Sequence, residues 1–415
     1  MNTLEKPFRG WFRTGLFSLA IVALFGSLMR YKIAFDFPYF DQKNLLHAHS
    51  HFAFGGWLTH MLYTSLAWCM NGLLPAEKRR RYHVLIALNL LFSFGMLFAF
   101  TAQGYGPVSI LFSTLTIVVA IAFFGIYTGD ARRFAPGQSF TRWARMGLFL
   151  NVFSAAGPLF LAYMMATRNI DMQRYLGSVY YYLHFQYSGW FFFASMSLLV
   201  FYLPQKNELF RSAYRVFSVT VFVSFFLSIL WAHLPVWLVV ITSLAAIAQL
   251  LAWLRLLRAF AGDLRALPGR FPARWISWFL YGAVLSMTLK FVLQTVSAIP
   301  HLSQLVFGFR PIVIAYLHLV LLGVYSLFLV GWLFVRGVLT LNKTARSGSF
   351  IFLAGVVLNE TLLAVQGFAS FAYVPIPYIH EALLLVALLL LTGAALLAWS
   401  AVSSSATSSA TSSAA

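Results

Sequence analysis

The residues best suited to chemistry in this sequence are its histidines. Three of them, His47, His49 and His51, open an apolar stretch that continues through Cys69. On a helix with about 100° per residue, His47 and His51 share one face and His49 lies on another. Imidazole is a neutral nitrogen ligand for transition metals and for haem iron. Several imidazoles at one end of an apolar helix therefore predict a metal or haem site.

The pattern around His51 recurs at two later positions. The motif is a histidine, four residues, a glycine and a large apolar residue, and its copies are His51 with Gly56-Trp57, His184 with Gly189-Trp190, and His318 with Gly323-Val324. The three histidines are 133 and 134 residues apart, which is about one third of the chain. A repeat with this period predicts three copies of one multi-helix unit, each with a histidine in its second helix.

The composition is that of a membrane protein. Of the 415 residues, 61% are apolar and 9% are charged, whereas soluble domains carry about 25% charged residues. A net charge of +19 would indicate a nucleic-acid partner in a soluble protein. In a chain this apolar the distribution of Lys and Arg between loops matters more, and we predict no nucleic-acid partner. Cys69 is the only cysteine, which excludes an internal disulfide.

Stretches of about 20 apolar residues predict an all-α, polytopic membrane protein with about twelve transmembrane helices. The predicted spans lie near 13–30, 48–70, 83–104, 106–128, 142–166, 178–203, 214–232, 234–258, 273–298, 311–336, 348–370 and 379–401. Residues 1–402 would form a single transmembrane domain of three pseudo-equivalent four-helix repeats, at about 10–135, 136–268 and 269–402. Residues 403–415 are a Ser/Ala/Thr tail that we predict to be disordered.

The distribution of basic residues predicts the orientation of these spans. With a cytoplasmic N-terminus, 22 of the 29 lysines and arginines lie on the cytoplasmic side and one, Lys290, lies within a span. The outer side has only Arg30, Lys32, Lys43, Arg168, Arg174 and Arg310. This bias obeys the positive-inside rule. We therefore predict a multi-pass protein of a bacterial inner (cytoplasmic) membrane, in contact with its lipids and with the N-terminus in the cytoplasm.

The predicted topology places most histidines in one layer. Eight of the ten fall at or just below the outer surface: His47, His49, His51, His184, His233, His301, His318 and His380. A single interfacial histidine is most simply a hydrogen-bonded packing residue, because a helix end is half hydrated. Chance does not readily explain one histidine in register in each repeat with His233 at the same level. The layer predicts metal or haem binding inside a helix bundle.

Twelve helices in three groups of four, with histidines near the outer ends of helices 2, 6, 7 and 10, resemble the catalytic subunit of the haem-copper oxidase superfamily. That superfamily includes the terminal oxygen reductases and the nitric oxide reductases. The stretch beginning His47-Ala-His49 is also similar to the opening motif of the nitric-oxide-response haem-copper membrane proteins. The resemblance lies in the pattern of transmembrane spans and covers about residues 13–401.

The resemblance implies a b-type haem with axial ligands His51 on helix 2 and His318 on helix 10, with His49 and His47 as further candidates. By the same resemblance, copper is an additional cofactor, and His184 and His233 match copper-ligand positions on helices 6 and 7. An electron donor of the cytochrome c type, or a partner subunit, would reach the haem from outside the membrane.

The chain departs from the family at these positions. Helix 6 has His184-Phe-Gln-Tyr-Ser188 in place of the oxygen reductases' His-Pro-Glu-Val-Tyr, helix 7 has one histidine in place of two, and helix 10 has Tyr316 in place of a second histidine. Two alternatives stay open. One is a rearranged metal site completed by His49, His60, His301 or His380; the other is a single bis-histidine haem without a binuclear centre.

Two ionisable residues are predicted to lie inside the membrane. Lys290 in helix 9 and Glu360 in helix 11 lie at similar depths. An intramembrane charge is a functional hypothesis by default, and here it predicts either a buried ion pair or part of a proton route.

Three functions remain open on the sequence alone. The first is a haem-binding membrane redox protein, with or without copper, related to oxygen or nitric oxide reductases. The second is a non-catalytic relative that acts in the response to nitric oxide or in haem and copper handling and assembly. The third is a transporter, although known transporter plans pair two halves and not three repeats.

Overall fold

The computed structural model describes residues 6–169, 171–271, 273–299 and 309–412, and the regular elements in these ranges are all helices. Ten of the described helices are long and apolar enough to cross a membrane. The protein is therefore a polytopic helical membrane protein, and this part of the sequence prediction is confirmed.

The helices alternate with short loops along the whole chain. In order they are α1 (Lys6–Ala34), α2 (42–71), α3 (Ala76–Gln103), α4 (Pro107–Phe134), α5 (Ser139–Ala166), α6 (172–202), α7 (Pro204–Ala232), α8 (Val236–Arg270), α9 (Arg274–Val296), α10 (Arg310–Val335), α11 (Lys343–Phe371) and α12 (Ile379–Ser412). The ten apolar helices are all of these except α2 and α6, which carry more polar side chains, among them His60 and Gln186.

Side-chain caps set the start of the two polar helices. The Asp41 carboxylate accepts hydrogen bonds from the backbone N–H groups of Lys43 and Asn44, at 2.8 and 2.9 Å, before α2. Asp171 accepts one from the backbone N–H of Arg174 at 2.8 Å before α6. A capping carboxylate satisfies N–H groups that have no partner within the helix and interacts favourably with the positive end of the helix dipole. These caps fix where each histidine motif begins.

Three helices contain a π-helical segment beside the repeated histidine. The segments are Ala53–Thr59 in α2, Phe185–Trp190 in α6 and Leu319–Ser326 in α10. A π-helical turn adds a residue to the turn and so rotates the side chains that follow it, and such turns are frequent at functional sites. The motif glycine lies within each segment. At Gly323, a Cβ atom would lie 2.7 Å from Ser286 Oγ, so a larger residue there would displace the Ser286 side chain of α9.

Hydrogen bonds connect α2, α6 and α10 pairwise at the level of these segments. The donor and acceptor pairs are Trp57 Nε1 with Ser326 Oγ (2.9 Å), Trp190 Nε1 with Thr59 Oγ1 (3.1 Å), and the Tyr325 hydroxyl with the Tyr187 carbonyl. All of these residues are buried. Since no water is available in a bilayer core, each of these polar groups is satisfied by a neighbouring helix. The three motif helices thus form the centre of the bundle.

The C-terminal helix is longer than the sequence predicted. The last apolar span was predicted to end near 401, whereas α12 continues to Ser412; disorder of the 403–415 tail stays a prediction. The physical reason is that the segment contains no proline or glycine, and its alanines have the highest intrinsic helix propensity, so a helix that begins in the apolar span can continue.

Candidate functional site

His49 and His318 lie on different helices and their rings interact electrostatically with each other. His49 Nδ1 is 3.0 Å from the Val22 carbonyl oxygen of α1, and His318 Nδ1 is 2.9 Å from the Ile314 carbonyl oxygen of its own helix. A carbonyl only accepts hydrogen bonds, so in both rings Nδ1 carries the proton and donates. Among the described residues neither Nε2 has a hydrogen-bond partner. Both Nε2 lone pairs are therefore available to a ligand.

The neighbourhood of this pair includes an arginine without a carboxylate. Arg30, near the C-terminal end of α1, interacts electrostatically with both His49 and His318. No carboxylate in the described ranges forms an ion pair with its guanidinium. Gly26, one turn earlier on α1, leaves room for the His49 ring, because a Cβ atom there would lie 3.3 Å from His49 Cε1. His49, His318 and Arg30, on α2, α10 and α1, are therefore close enough to interact electrostatically with one another.

His51 and His47 lie on a different face of α2, as the helical periodicity predicted. The His51 ring stacks on Phe100 of α3, with centroids 4.4 Å apart and planes 7° apart. His51 Nε2 is 3.3 Å from the hydroxyl oxygen of Tyr105. The His47 ring lies 6.4 Å from the His51 ring and 4.6 Å from the Tyr105 ring. On α2 the histidine that interacts with His318 is thus His49, whereas the resemblance gave this position to His51.

The copper ligands implied by the resemblance do not come together. His184 Nε2 is 2.8 Å from the Val221 carbonyl oxygen of α7, so this nitrogen donates a proton and has no free lone pair. The ring contacts Phe185, Tyr187 and Phe225 and interacts electrostatically with Lys290. No contact joins His184 to His233, which is exposed at the end of α7 with a left-handed backbone, φ +54°. These residues do not fit a copper ion as a pair.

The other histidines occupy separate places. His60 Nε2 donates a hydrogen bond to the Trp11 carbonyl oxygen at 2.8 Å and lies 3.2 Å from Thr14 Oγ1. His60 is therefore a packing residue that connects α2 to α1. His380 is exposed at the start of α12. His301 lies outside the described residues. Within the described ranges no group of three or more His, Cys, Asp or Glu side chains is arranged to hold a metal.

The predicted ion pair between Lys290 and Glu360 is not formed. Lys290 Nζ donates to Gln294 Oε1 at 2.6 Å and lies 4.4 Å from the centroid of the Phe291 ring. Glu360 accepts a hydrogen bond from Asn359 Nδ2 at 3.2 Å. The prediction rested on equal depth in the membrane, and depth does not determine the direction in which a side chain leaves its helix. A part in proton transfer stays a prediction for both residues.

A small polar cavity lies between α2, α3, α4, α5 and α6. Its volume is about 70 Å³, and polar groups from His51, Tyr63, Asn89, Asn151 and Gln186 line it. Asn151 Nδ2 donates to the Tyr63 hydroxyl at 2.8 Å, and Gln186 Nε2 donates to Asn151 Oδ1 at 2.9 Å. Its size and polarity suit buried water molecules.

Comparison of the chain with models of known protein families finds no match, and comparison with curated proteins finds none either.

Two residues of this region were missed by sequence reasoning. Arg30 was counted only as a basic residue of the outer side, and Tyr105 was not considered. An arginine in the last turns of an apolar helix was a usable signal, because a charge there requires a partner or a ligand. Tyr105 had no such signal, since its position beside His51 depends on the packing of α3 against α2.

Proposed function

We propose that the protein is a membrane haem protein of the redox type and that His49 and His318 are the two axial ligands of one b-type haem. The observation that carries the proposal is the pair of imidazoles on α2 and α10 with both Nδ1 atoms bonded to carbonyl oxygens and both Nε2 atoms free. A ligating histidine almost always donates its other ring nitrogen to a carbonyl or carboxylate, which fixes the tautomer and the ring orientation. The donor set therefore fits haem iron.

Arg30 supports the same proposal through charge. A haem carries two propionate carboxylates, and a buried or half-buried guanidinium is a favourable partner for a carboxylate because it forms paired, charge-assisted hydrogen bonds. Arg30 interacts with both histidines and has no ion-pair partner among the described carboxylates. A propionate beside Arg30 would supply the missing negative charge.

The bound haem would supply one-electron chemistry, since an iron with two axial protein ligands keeps no open position for a substrate. The protein itself would set the reduction potential of the iron, through the hydrogen bonds of the imidazoles and a low-dielectric environment. His49 lies in the first turns of α2, near the end of the helix, where a donor outside the membrane, such as a cytochrome c-type protein or a partner subunit, could approach.

We also propose that α1–α4, α5–α8 and α9–α12 are three pseudo-equivalent units and that all twelve helices cross the membrane. The matching π-helical segments and the pairwise hydrogen bonds among α2, α6 and α10 support this arrangement. The distribution of Lys and Arg supports a cytoplasmic N-terminus in a bacterial inner membrane. Relationship to the haem-copper oxidase superfamily is part of this proposal.

A second candidate function is a relative without a gas-reducing centre, acting in nitric oxide response or in haem or copper handling. The specific observation in its favour is His184, whose Nε2 is bonded to the Val221 carbonyl and whose neighbours are aromatic rings and Lys290. A lysine amine next to a metal-ligand position opposes a cation there. The two candidates share the haem at His49 and His318 and differ in turnover of oxygen or nitric oxide.

The test is optical spectroscopy of the purified full-length protein from haem-replete cells. We expect about one haem per chain and the sharp reduced-state bands of a low-spin, six-coordinate iron. His49→Ala and His318→Ala should each abolish that low-spin spectrum. His233→Ala and His380→Ala, which remove exposed histidines, are matched controls and should leave it unchanged. A wild-type protein without a Soret band would rule the proposal out.

A further inference from the structure

Two histidines near the start of α2 are left unused by the proposed haem site. His47 and His51 lie one helical turn apart on the same face, with ring centroids 6.4 Å apart and an angle of 46° between the ring planes. His49, the proposed haem ligand between them in sequence, points toward α1 instead, where its Nδ1 bonds to Val22. The pair therefore forms a separate feature on the α3 side of α2.

Unpaired donor atoms converge at this pair. His47 Nε2 is buried and has no hydrogen-bond partner within the described part of the chain. His51 Nε2 has only the Tyr105 hydroxyl, at the long distance of 3.3 Å. The Tyr105 ring packs edge-on against His47, with centroids 4.6 Å apart, so the same tyrosine touches both histidines. A buried nitrogen without a partner costs free energy that a bound ligand can recover.

We infer that His47 and His51 form a chelating site for a divalent transition-metal ion, with the Tyr105 hydroxyl at its edge. Two imidazoles select the borderline ions Zn²⁺ and Cu²⁺, because imidazole suits these metals whereas Mg²⁺ and Ca²⁺ require oxygen ligands. The ion lies outside the region between His49 and His318. The inference is independent of the haem proposal.

The geometry requires only a small adjustment. With metal–nitrogen bonds of about 2.0–2.1 Å and tetrahedral angles, the centroids of two ligating imidazoles lie about 5 Å apart. Because the observed centroid distance is 6.4 Å, binding an ion requires the two rings to move about 1 Å closer together. His51 is already held by its stack on Phe100, with centroids 4.4 Å apart, so most of the movement falls on His47.

The surroundings give an ion access from the helix end. His47 is half-buried. It interacts electrostatically with the exposed side chains of Lys43 and of Asp41, the residue that caps α2. Asp41 attracts a cation and Lys43 opposes it, so the imidazoles and not the local charge must supply the affinity. With two protein nitrogens, one hydroxyl and water as ligands, we expect an exchangeable ion and not a structural one.

The experiment is a metal titration of the full-length protein as purified, after treatment with a chelator. Zn²⁺ binding is measured by calorimetry, and Cu²⁺ binding by electron paramagnetic resonance, which reports the coordinating nitrogens. We expect one ion per chain and two imidazole nitrogens on Cu²⁺. His47→Ala and His51→Ala should each lower the affinity at least about tenfold, since even residues that only support a ligand contribute 10- to 100-fold. His233→Ala and His380→Ala should bind as the wild type does.

The melting temperature of each variant separates loss of the site from loss of the fold, whether or not the protein binds haem. His47 is only half-buried, so His47→Ala should melt close to the wild-type temperature and decide the matter even where His51→Ala misfolds. Wild-type protein that binds no more ion than the double variant of His47 and His51 would overturn the inference. So would wild-type affinity in a folded His47→Ala protein.

Discussion

At the scale of the residue, the atom that each histidine uses for its hydrogen bond decides what the ring can do. His49 and His318 bond through Nδ1 and keep Nε2 free, whereas His184 and His60 use Nε2 for a carbonyl. The first pair could act as ligands through Nε2, whereas His184 and His60 could do so only through Nδ1, because their Nε2 atoms bond to carbonyl groups of neighbouring helices. This distinction depends on neighbouring backbone positions, so it was not available from the sequence.

Sequence reasoning at this scale predicted which faces of α2 its histidines occupy, but not the hydrogen-bond partners of the buried polar side chains. The helical period correctly placed His49 on a different face of α2 from His47 and His51. It gave no reason to expect that His49, and not His51, interacts with α10. Lys290 and Glu360 were paired by depth, and the structure pairs Lys290 with Gln294 and Glu360 with Asn359. Both outcomes depend on the direction in which a side chain points around its helix axis, and the depth of a residue in the membrane does not give that direction.

One prediction at this scale concerns the ionic contact between α3 and α4. Asp130 is buried and accepts hydrogen bonds from Arg81 and from the Tyr82 hydroxyl, the latter at 2.8 Å. Because the Arg81 side chain is still 32% exposed, Asp130→Asn should lower the free energy of unfolding by roughly 1–3 kcal/mol, less than for a fully buried pair. Thermal unfolding in detergent measures the change.

The matched control is the exposed pair of Arg211 and Glu208, 3.3 Å apart. Glu208→Gln should change the free energy of unfolding by less than about 0.5 kcal/mol, because exposed pairs contribute little. Equal melting temperatures for Asp130→Asn and Glu208→Gln would show that burial does not strengthen the Asp130 contacts.

At the scale of the element, most helix positions followed from the sequence and the irregular turns did not. A bilayer requires backbone groups to be bonded within the helix, so apolar length alone locates a span. The π-helical segments after His51, His184 and His318 have no compositional signature beyond the shared glycine. They arise from tertiary contacts such as the hydrogen bond from Trp57 to Ser326, which local sequence does not encode.

A prediction at this scale concerns the packing of α11 on α12. A Cβ atom at Gly393 would lie 2.6 Å from the Phe352 backbone nitrogen and 2.7 Å from its Cα atom. Backbone cannot rotate away as a side chain can, so the two helices must separate. Gly393→Ala should therefore cost at least about 1–3 kcal/mol of stability. Thermal unfolding in detergent is again the measurement.

Gly125 is the matched control for this substitution, because it is an exposed helical glycine with nothing within 4 Å of a built Cβ atom. Gly125→Ala should leave the melting temperature unchanged or raise it slightly, since alanine is the better helix former. If Gly393→Ala were as stable as Gly125→Ala, the close contact between α11 and α12 would be wrong.

At the scale of the whole molecule, α2, α6 and α10 form a central triangle that the other helices surround. The sequence predicted three repeats from one motif recurring at a third of the chain length, and this stays a prediction. The hydrogen bonds of Trp57, Trp190 and Tyr325 connect the three motif helices pairwise. The repeat could not predict which residues outside the motif interact with its histidines, above all Arg30.

The proposed orientation gives a prediction for the whole chain. Cys69 is buried, and Cys69→Ser removes the only thiol. In that background, Tyr39→Cys and Tyr378→Cys place a thiol in exposed loops on the predicted outer side, and Gln138→Cys places one in a predicted inner loop. A membrane-impermeant thiol reagent applied to intact spheroplasts should label the first two and spare the third until the membrane is broken. Labelling of Gln138→Cys alone would invert the topology.

We propose that one haem iron is bound by His49 and His318 and not by His51. Cavity complementation tests it most directly: His49→Gly and His51→Gly proteins are compared by absorption spectroscopy before and after free imidazole is added. We predict that His49→Gly loses the low-spin spectrum and regains it with imidazole, while His51→Gly stays low-spin throughout. A His49→Gly protein that keeps the wild-type spectrum without imidazole would contradict the account.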